Sequence, residues 1–102
     1  MRDLYHPRLE DVGLANVLHA LSDPVRLEIV RVLAGLDEIP CSSLNAALSK
    51  STMSHHFKVL REAGVTHTRA NGTKRMMSLR QEELEERFPG LLHSILQSSK
   101  AA

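Results

Sequence analysis

The residues with the most chemistry in this 102-residue chain lie between Ser49 and Val65, in the stretch SKSTMSHHFKVLREAGV. Its adjacent histidines, His55 and His56, could bind a metal, act as bases or contact a polyanion. Neighbours on a helix diverge by about 100°, whereas helical metal pairs use a spacing of four residues, so a shared ion is not expected. The same divergence argues against a hydrolase built on Ser54, because a nucleophile must meet its base. The stretch predicts no enzyme.

The helical phase of this stretch separates it into two faces. Met53, Phe57 and Leu60 fall on one stripe and are predicted to pack on the core. His56 lies beside that stripe, and we expect its ring to pack there with a nitrogen hydrogen-bonded. The opposite face can donate to phosphates or base edges, as a recognition helix does. It consists of Thr52, Ser54, His55, Lys58 and Arg61.

The charge of the chain is concentrated in its middle third. The formal net charge is only +1. Residues 50–80 nevertheless carry seven lysines and arginines against the single Glu62, while the segments on both sides have an acidic balance. Such a local surplus predicts a polyanionic partner at this segment. A merely solvated basic surface is the alternative.

The hydrophobic pattern predicts four helices up to this point. Ser22 or Asp23 can cap the second, since Pro24 suits a first helical turn and Gly35 a C-terminal stop. Ser51 can cap the fourth. The third and fourth form a helix-turn-helix, because only a few residues separate them. The predicted ranges are roughly 9–21, 24–34, 41–48 and 51–63.

A basic hairpin is predicted next, over Val65–Leu79. Asn71-Gly72 stands between two runs that tolerate β structure, which is a strong hairpin signal. A two-stranded basic hairpin after a helix-turn-helix is the wing of a winged helix. The basic residues near its tip are Arg69, Lys74 and Arg75.

The chain then returns to helix over roughly 81–97, with a break at Pro89-Gly90, and residues 98–102 are expected to fray. The predicted fold is mainly α with a small β-hairpin, in the order α-α-α-α-β-β-α, as one winged helix-turn-helix domain over residues 1–102. Apolar residues at the two ends exceed what so small a monomer needs to cover, which predicts a homodimer through the terminal helices. The expected interface residues are Leu9, Val12, Leu14, Phe88, Leu91, Leu92, Ile95 and Leu96.

The composition indicates the cellular compartment of the protein. No apolar run approaches the roughly 20 residues of a membrane span, and the first residues lack the apolar region of a signal peptide. Cys41 is the only cysteine, so no disulfide within the chain is available. These features predict a cytoplasmic protein without a membrane partner.

The phrases LSDPVRLEIVRVLA and STMSHHFKVLREAGV, followed by the hairpin around Asn71-Gly72, resemble the ArsR/SmtB-type winged-helix repressors of bacteria over roughly Leu18–Leu79. The resemblance implies a homodimeric repressor that occupies a roughly palindromic operator of double-stranded DNA. It also implies a recognition helix at Ser51–Ala63 and a wing at Val65–Leu79. The expected DNA-binding residues are Lys50, Ser51, Thr52, Ser54, His55, Lys58, Arg61, Arg69, Lys74 and Arg75.

The chain departs from this family at its metal sites. Many members carry a C-x-C pair before the recognition helix, where this sequence has Pro40 and Ser42 on either side of Cys41. The terminal helices also lack the D-x-H and H-x-x-[EH] spacings of the other metal site; His93 has no Glu or His within the following turn. We therefore expect no metal and no cofactor.

Three alternatives stay open at this point. A metal- or redox-responsive member of the same family could use Cys41, or could bring His6, His19 and His93 together across a dimer. A winged helix that binds protein would use the same fold, but the basic helix and wing argue against it. An effector of unknown chemistry is compatible with every reading.

Overall fold

The computed structural model describes residues 4–44 and 48–100. Its described helices pack against a three-stranded antiparallel sheet with the strand order β1-β3-β2. This architecture confirms the predicted fold class. In chain order the elements are a 3-10 turn Leu9–Asp11, α1 Leu14–Leu21, α2 Pro24–Ala34, β1 Ile39–Pro40, a 3-10 turn Cys41–Ser43, α3 Lys50–Glu62, β2 Thr66–Asn71, β3 Lys74–Leu79, α4 Gln81–Arg87 and α5 Leu91–Lys100.

The hairpin forms where Asn71-Gly72 predicts it. Asn71 pairs with Lys74, so Gly72 and Thr73 are the two connecting residues. Gly72 has φ of 65° and Thr73 does not have a positive φ, a combination that fits a type II′ turn. The two-residue strand β1, which pairs with β3, is too short to leave an alternating pattern and was not predicted.

The predicted first helix at 9–21 is wrong in its first half. A 3-10 turn ends at Asp11, and Val12 and Gly13 are extended, with ψ of 125° and 145°. The extended backbone lets the buried Val12 pack on Gly64 at the end of α3, where an added Cβ would lie 2.6 Å from Cγ2 of Val12. The break in the helix therefore seats the N-terminal segment on the domain.

One predicted helix cap is confirmed, one is corrected, and one predicted helix is a 3-10 turn in its described part. The carboxylate of Asp23 accepts from two backbone N–H groups and caps α2 as predicted. The cap of α3 is Ser49, because the helix begins at Lys50 and already contains Ser51. In the predicted helix at 41–48, the described part is a 3-10 turn followed by the extended Leu44, and residues 45–47 lie outside the described residues.

The C-terminal pair of helices breaks at Pro89-Gly90 as predicted, with φ of 79° at Gly90. Helix α5 reaches Lys100, so 98–100 are helical rather than frayed, and 101–102 lie outside the described residues. None of the helices in the described ranges is long and apolar enough to cross a membrane.

Two arginines of the C-terminal half hold the N-terminal segment by its carbonyl groups. Nη1 of Arg80 donates to the carbonyl of Pro7 at 2.8 Å. Arg87 donates to the carbonyls of Leu9 and Val12 at 3.1 and 3.2 Å. The carbonyl of Leu9 also accepts from the backbone N–H of Val12 at 3.1 Å, so the arginines add side-chain donors to a segment whose helix is interrupted.

The predicted dimer residues divide between the core and the surface. Leu9, Val12 and Leu92 are buried inside the chain, so they have little surface to offer a partner. Leu14 is 47% exposed and Leu18, which lies one turn later on α1, is 44% exposed. The half-buried remainder of the predicted set is Phe88, Leu91, Ile95 and Leu96.

Candidate nucleic-acid interface

Helix α3 turns one face into the core and the other to solvent. Met53, His56 and Leu60 are buried, which confirms their predicted face, whereas Phe57 is half-buried. The exposed face presents hydroxyl, imidazole and ammonium groups, which are donors suited to phosphates and base edges. Its exposed members among the predicted DNA-binding residues are Lys50, Ser51, Thr52, Ser54, His55 and Lys58.

A buried arginine fixes the orientation of this helix. Arg26 on α2 is only 8% exposed; its Nε donates to the carbonyl of Ala20 at 2.7 Å, and its Nη1 lies 3.2 Å from Nδ1 of His56. A guanidinium can only donate, so Nδ1 must accept and the imidazole is neutral with its proton on Nε2. The expected hydrogen bond of His56 is confirmed, and its partner ties α3 to both α1 and α2.

The first turn of α3 is held by a serine cap. Oγ of Ser49 accepts from the backbone N–H of Thr52 at 3.2 Å and lies 2.8 Å from the hydroxyl of the same residue, to which it donates. The Thr52 hydroxyl thus keeps its own proton free to donate outward. The cap fixes the end of the helix that a recognition helix presents to DNA.

The exposed cations of the helix and the wing differ in how they are compensated. Within residues 4–44 and 48–100, Lys50, Lys58, Lys74 and Arg75 form no ion pair. Uncompensated surface cations on neighbouring elements are what a polyanion neutralises on binding. The helix and the hairpin tip therefore form a basic surface, hereafter the basic face.

Arg69 is not available in the way that was predicted. Its guanidinium donates two hydrogen bonds to the carboxylate of Glu38, at 2.8 and 2.6 Å. Hydrogen bonding to Arg69 also lowers the pKa of Glu38, so the carboxylate stays charged. The pair ties β2 to the segment before β1 and cancels the charge that was expected to meet DNA.

Arg61 also differs from its predicted place. It is half-buried, and its Nε is buried without a hydrogen-bond partner among the described residues. Its side chain lines a cavity between α3 and the wing rather than the exposed face with Lys58.

The histidines do not converge within the chain as a metal site would require. His6 stacks on His67 of β2, with ring centroids 4.3 Å apart, and its Nε2 accepts from the N–H of Thr68 at 3.0 Å. His19 and His93 are exposed. Over 4–44 and 48–100, no group of three His, Cys, Asp or Glu side chains is placed to hold a metal ion.

Cys41 lines the same cavity as Arg61 and is half-buried. Burial raises the pKa of its thiol, which keeps the sulfur protonated and weakly nucleophilic at neutral pH. No second cysteine exists in the chain to pair with it.

Comparison with known proteins joins this geometry to a function. A family described as a helix-turn-helix domain matches residues 21–69. The chain is 38% identical over 89 residues to an uncharacterized HTH-type transcriptional regulator, YceK, of Bacillus subtilis (strain 168), covering 84% of this chain and 89% of that protein. It is 40% identical over 73 residues to the arsenical resistance operon repressor of Staphylococcus xylosus, covering 71% and 70%. The crystal structure of the transcriptional repressor BigR from Xylella fastidiosa superposes with a TM-score of 0.66 at 29% identity, covering 83% of this chain and 84% of that one.

Proposed function

Since this chain belongs to the ArsR family of DNA-binding helix-turn-helix transcriptional repressors, we propose that it acts as a homodimer on a roughly palindromic double-stranded operator. The observation that carries this proposal is the basic face. Its unpaired cations lie on two adjacent elements, and the intervening surface of α3 carries small donors. One protomer reads one half-site in this arrangement, and a two-fold dimer reads both.

Helix α3 supplies the contacts to bases. Its 13 residues span about 20 Å, enough to lie along the major groove. Ser54 and His55 are exposed in the first two turns, where a recognition helix meets base edges. Lys50 and Lys58 flank them and neutralise phosphates, a contact that carries little sequence information.

The wing supplies contacts to the backbone of the duplex. Lys74 and Arg75 follow the hairpin turn and are exposed. Arg69 takes a positioning role in this proposal, because its charge is already used by Glu38. Arg61 is likewise set aside as a primary DNA contact.

The homodimer is proposed to form through α1 and α5. Leu14 and Leu18 lie one turn apart on α1, and both expose nearly half of their surface to solvent. Leu91 and Ile95 have the same spacing on α5 and are half-buried. Exposed leucines at helical spacing are what a helix–helix interface uses.

Selection of bound DNA from a random pool tests the DNA proposal. We expect an inverted repeat whose spacing reports the dimer. On the selected site, Lys58→Ala should weaken binding about tenfold and reduce the slope of log K against log salt by about one. The matched control is Arg31→Ala, a paired surface arginine on α2. Equal effects of the two substitutions would refute the assignment of the basic face.

Light scattering tests the dimer separately. Leu18→Glu should give a monomer at micromolar concentration, because it places a carboxylate in the proposed apolar interface. Val32→Glu, at another exposed apolar position on α2, should leave the dimer intact. A wild-type monomer, or a dimer that tolerates Leu18→Glu, would contradict the proposed interface.

A further inference from the structure

A cavity of about 410 Å³ lies between α3, the wing and the residues Cys41, Ser42, Leu44 and Leu48. Met53 and Phe57 of α3 form part of an apolar wall, and the wing contributes Thr68 and Arg75. The volume falls within the range of about 300–1,000 Å³ that small-molecule sites occupy, and such sites combine apolar walls with a few placed polar groups. Three of its lining residues, Lys50, Ser54 and Arg75, are also proposed DNA contacts, whereas the rest of the lining has no part in the DNA-binding role proposed above.

Two polar groups at the cavity lack partners. Thr68 is only 5% exposed and its Oγ1 has no hydrogen-bond partner within the described residues. The Nε of Arg61 is also buried without a hydrogen-bond partner among the described residues. A buried donor without a partner is costly, and few native proteins keep one without a reason. The side chains of both residues line the same cavity, although these two atoms are themselves closed to solvent.

The lining of the cavity carries positive charge. Lys50 and Arg75 line it, and both are exposed and free of ion pairs within the described ranges. No carboxylate lines the cavity among the described residues. Three cations, counted with Arg61, therefore stand around an apolar interior, and this charge pattern complements a molecule with one anionic end.

We propose that this cavity binds a small organic carboxylate with an apolar body, whose binding competes with DNA. The carboxylate accepts from the guanidinium groups of Arg61 and Arg75, while the apolar body packs on Met53 and Phe57. Arg75 cannot serve a bound carboxylate and a DNA phosphate at once. The ligand acts as an inducer in this scheme. Only the competition rests on the proposed function; binding to the cavity does not.

Binding is measured first without DNA, by calorimetry and by methyl chemical shifts with phenylacetate as the probe. We expect a dissociation constant of about 1 mM or lower, which is the affinity that a ligand with so few atoms ordinarily reaches. Shifts should concentrate at Met53 and Thr68. Two reference compounds separate the contributions of the charge and of the apolar body to binding. The compound 2-phenylethanol lacks the charge, and acetate lacks the apolar body. Each should bind at least tenfold more weakly than phenylacetate.

Variants locate the site. Arg75→Ala should weaken phenylacetate binding at least tenfold, whereas Lys74→Ala, the neighbouring exposed cation outside the cavity lining, should leave it unchanged. Equal losses in Arg75→Ala and Lys74→Ala would overturn the site, because they would indicate attraction to the surface charge alone.

Each part of the proposal has its own refutation. If no binding is detected at a phenylacetate concentration tenfold above about 1 mM, the cavity is not a carboxylate site. Equal binding of 2-phenylethanol overturns the anionic class, and equal binding of acetate overturns the apolar body. If phenylacetate binds the cavity but leaves affinity for the selected DNA unchanged, competition is wrong while the site stands. If wild type binds no DNA at all, the proposed function fails independently of the probe.

Discussion

Nδ1 of His56 lies 3.2 Å from Nη1 of Arg26, so the recognition helix is anchored to α2 by a contact that only a neutral imidazole can make. The carboxylate of Asp23 lies 3.8 Å from the same ring nitrogen and also caps α2. The orientation of α3 therefore depends on a polar contact inside the domain as well as on its apolar stripe. Adjacent His55 takes no part and faces solvent.

Because of this hydrogen bond, substitutions of His56 and His55 should differ in their effect on stability. His56→Ala should lower the free energy of unfolding by about 1–3 kcal/mol, because a buried donor of Arg26 loses its acceptor. His56→Asn should recover part of that loss, since its amide oxygen can occupy the place of Nδ1. His55→Ala is the control and should stay within about 0.5 kcal/mol of wild type in urea unfolding. If the Asn variant is no more stable than the Ala variant, the hydrogen bond contributes nothing.

The contact between Val12 and Gly64 predicts an unusually costly Gly→Ala substitution. Gly64→Ala would combine a strained φ of 82° with a Cβ 2.6 Å from Val12. Strain at positive φ costs about 1–2 kcal/mol and overpacking about 1–3 kcal/mol. Gly90→Ala is matched in φ, at 79°, but meets nothing within 4 Å. Thermal unfolding should therefore separate the two variants, and equal losses would mean that Val12 moves aside freely.

The pair of Glu38 and Arg69 predicts a gain of DNA affinity on losing a carboxylate. Glu38→Gln removes the negative charge and frees Arg69 for a phosphate, so binding at low salt should tighten severalfold and the salt slope should steepen by up to about one. Glu28→Gln is the matched control, because Glu28 holds Arg31 with the same pair of distances on α2. Weaker DNA binding by Glu38→Gln would instead show that the ion pair is needed to place the wing.

His6 predicts a loss of stability in mild acid. Burial, and after it the neighbouring His67, lower the pKa of His6 below its ordinary value of 6.5, with smaller contributions in the same direction from Arg61 and Arg80. The folded state therefore favours the neutral ring, whose Nε2 accepts from Thr68. Its contribution is complete above pH 6.5 and is lost as the pH falls through the lowered pKa.

Urea unfolding at a series of pH values measures this contribution. His6→Ala should reduce stability at pH 7 and flatten the decline between pH 6.5 and the lowered pKa. His93→Ala, at an exposed position, should retain the decline. An unchanged slope in His6→Ala would assign the acid sensitivity to another group.

Features that repeat along the chain could be predicted from the sequence, and features that join distant residues could not. The two faces of α3 follow from helical periodicity, and the hairpin follows from Asn71-Gly72, because both signals are local. The partners of Arg26, Arg69 and Val12 lie tens of residues away, so no window of sequence contains both members of a pair. The ion pair that occupies Arg69 was not predicted for this reason.

One local signal for the buried network was nevertheless available. Asp23 and Arg26 stand three residues apart at the start of α2, a spacing that lets one residue cap the helix while the other turns inward. The break at Val12 had no such signal. Gly13 weakens a helix, but only the close approach to Gly64 decides that the chain is extended there.

The hydrogen bonds from Arg80 and Arg87 to the N-terminal segment have a consequence for folding during translation. The backbone acceptors are synthesised early, whereas their donors follow 73 to 78 residues later. During translation the carbonyls of Pro7, Leu9 and Val12 cannot accept from these arginines until Arg80 and Arg87 have left the ribosome. The N-terminal segment can therefore be fixed on the domain only after the last third of the chain has been made. A nascent chain halted before Arg87 would still lack the hydrogen bonds from Arg87 to Leu9 and Val12.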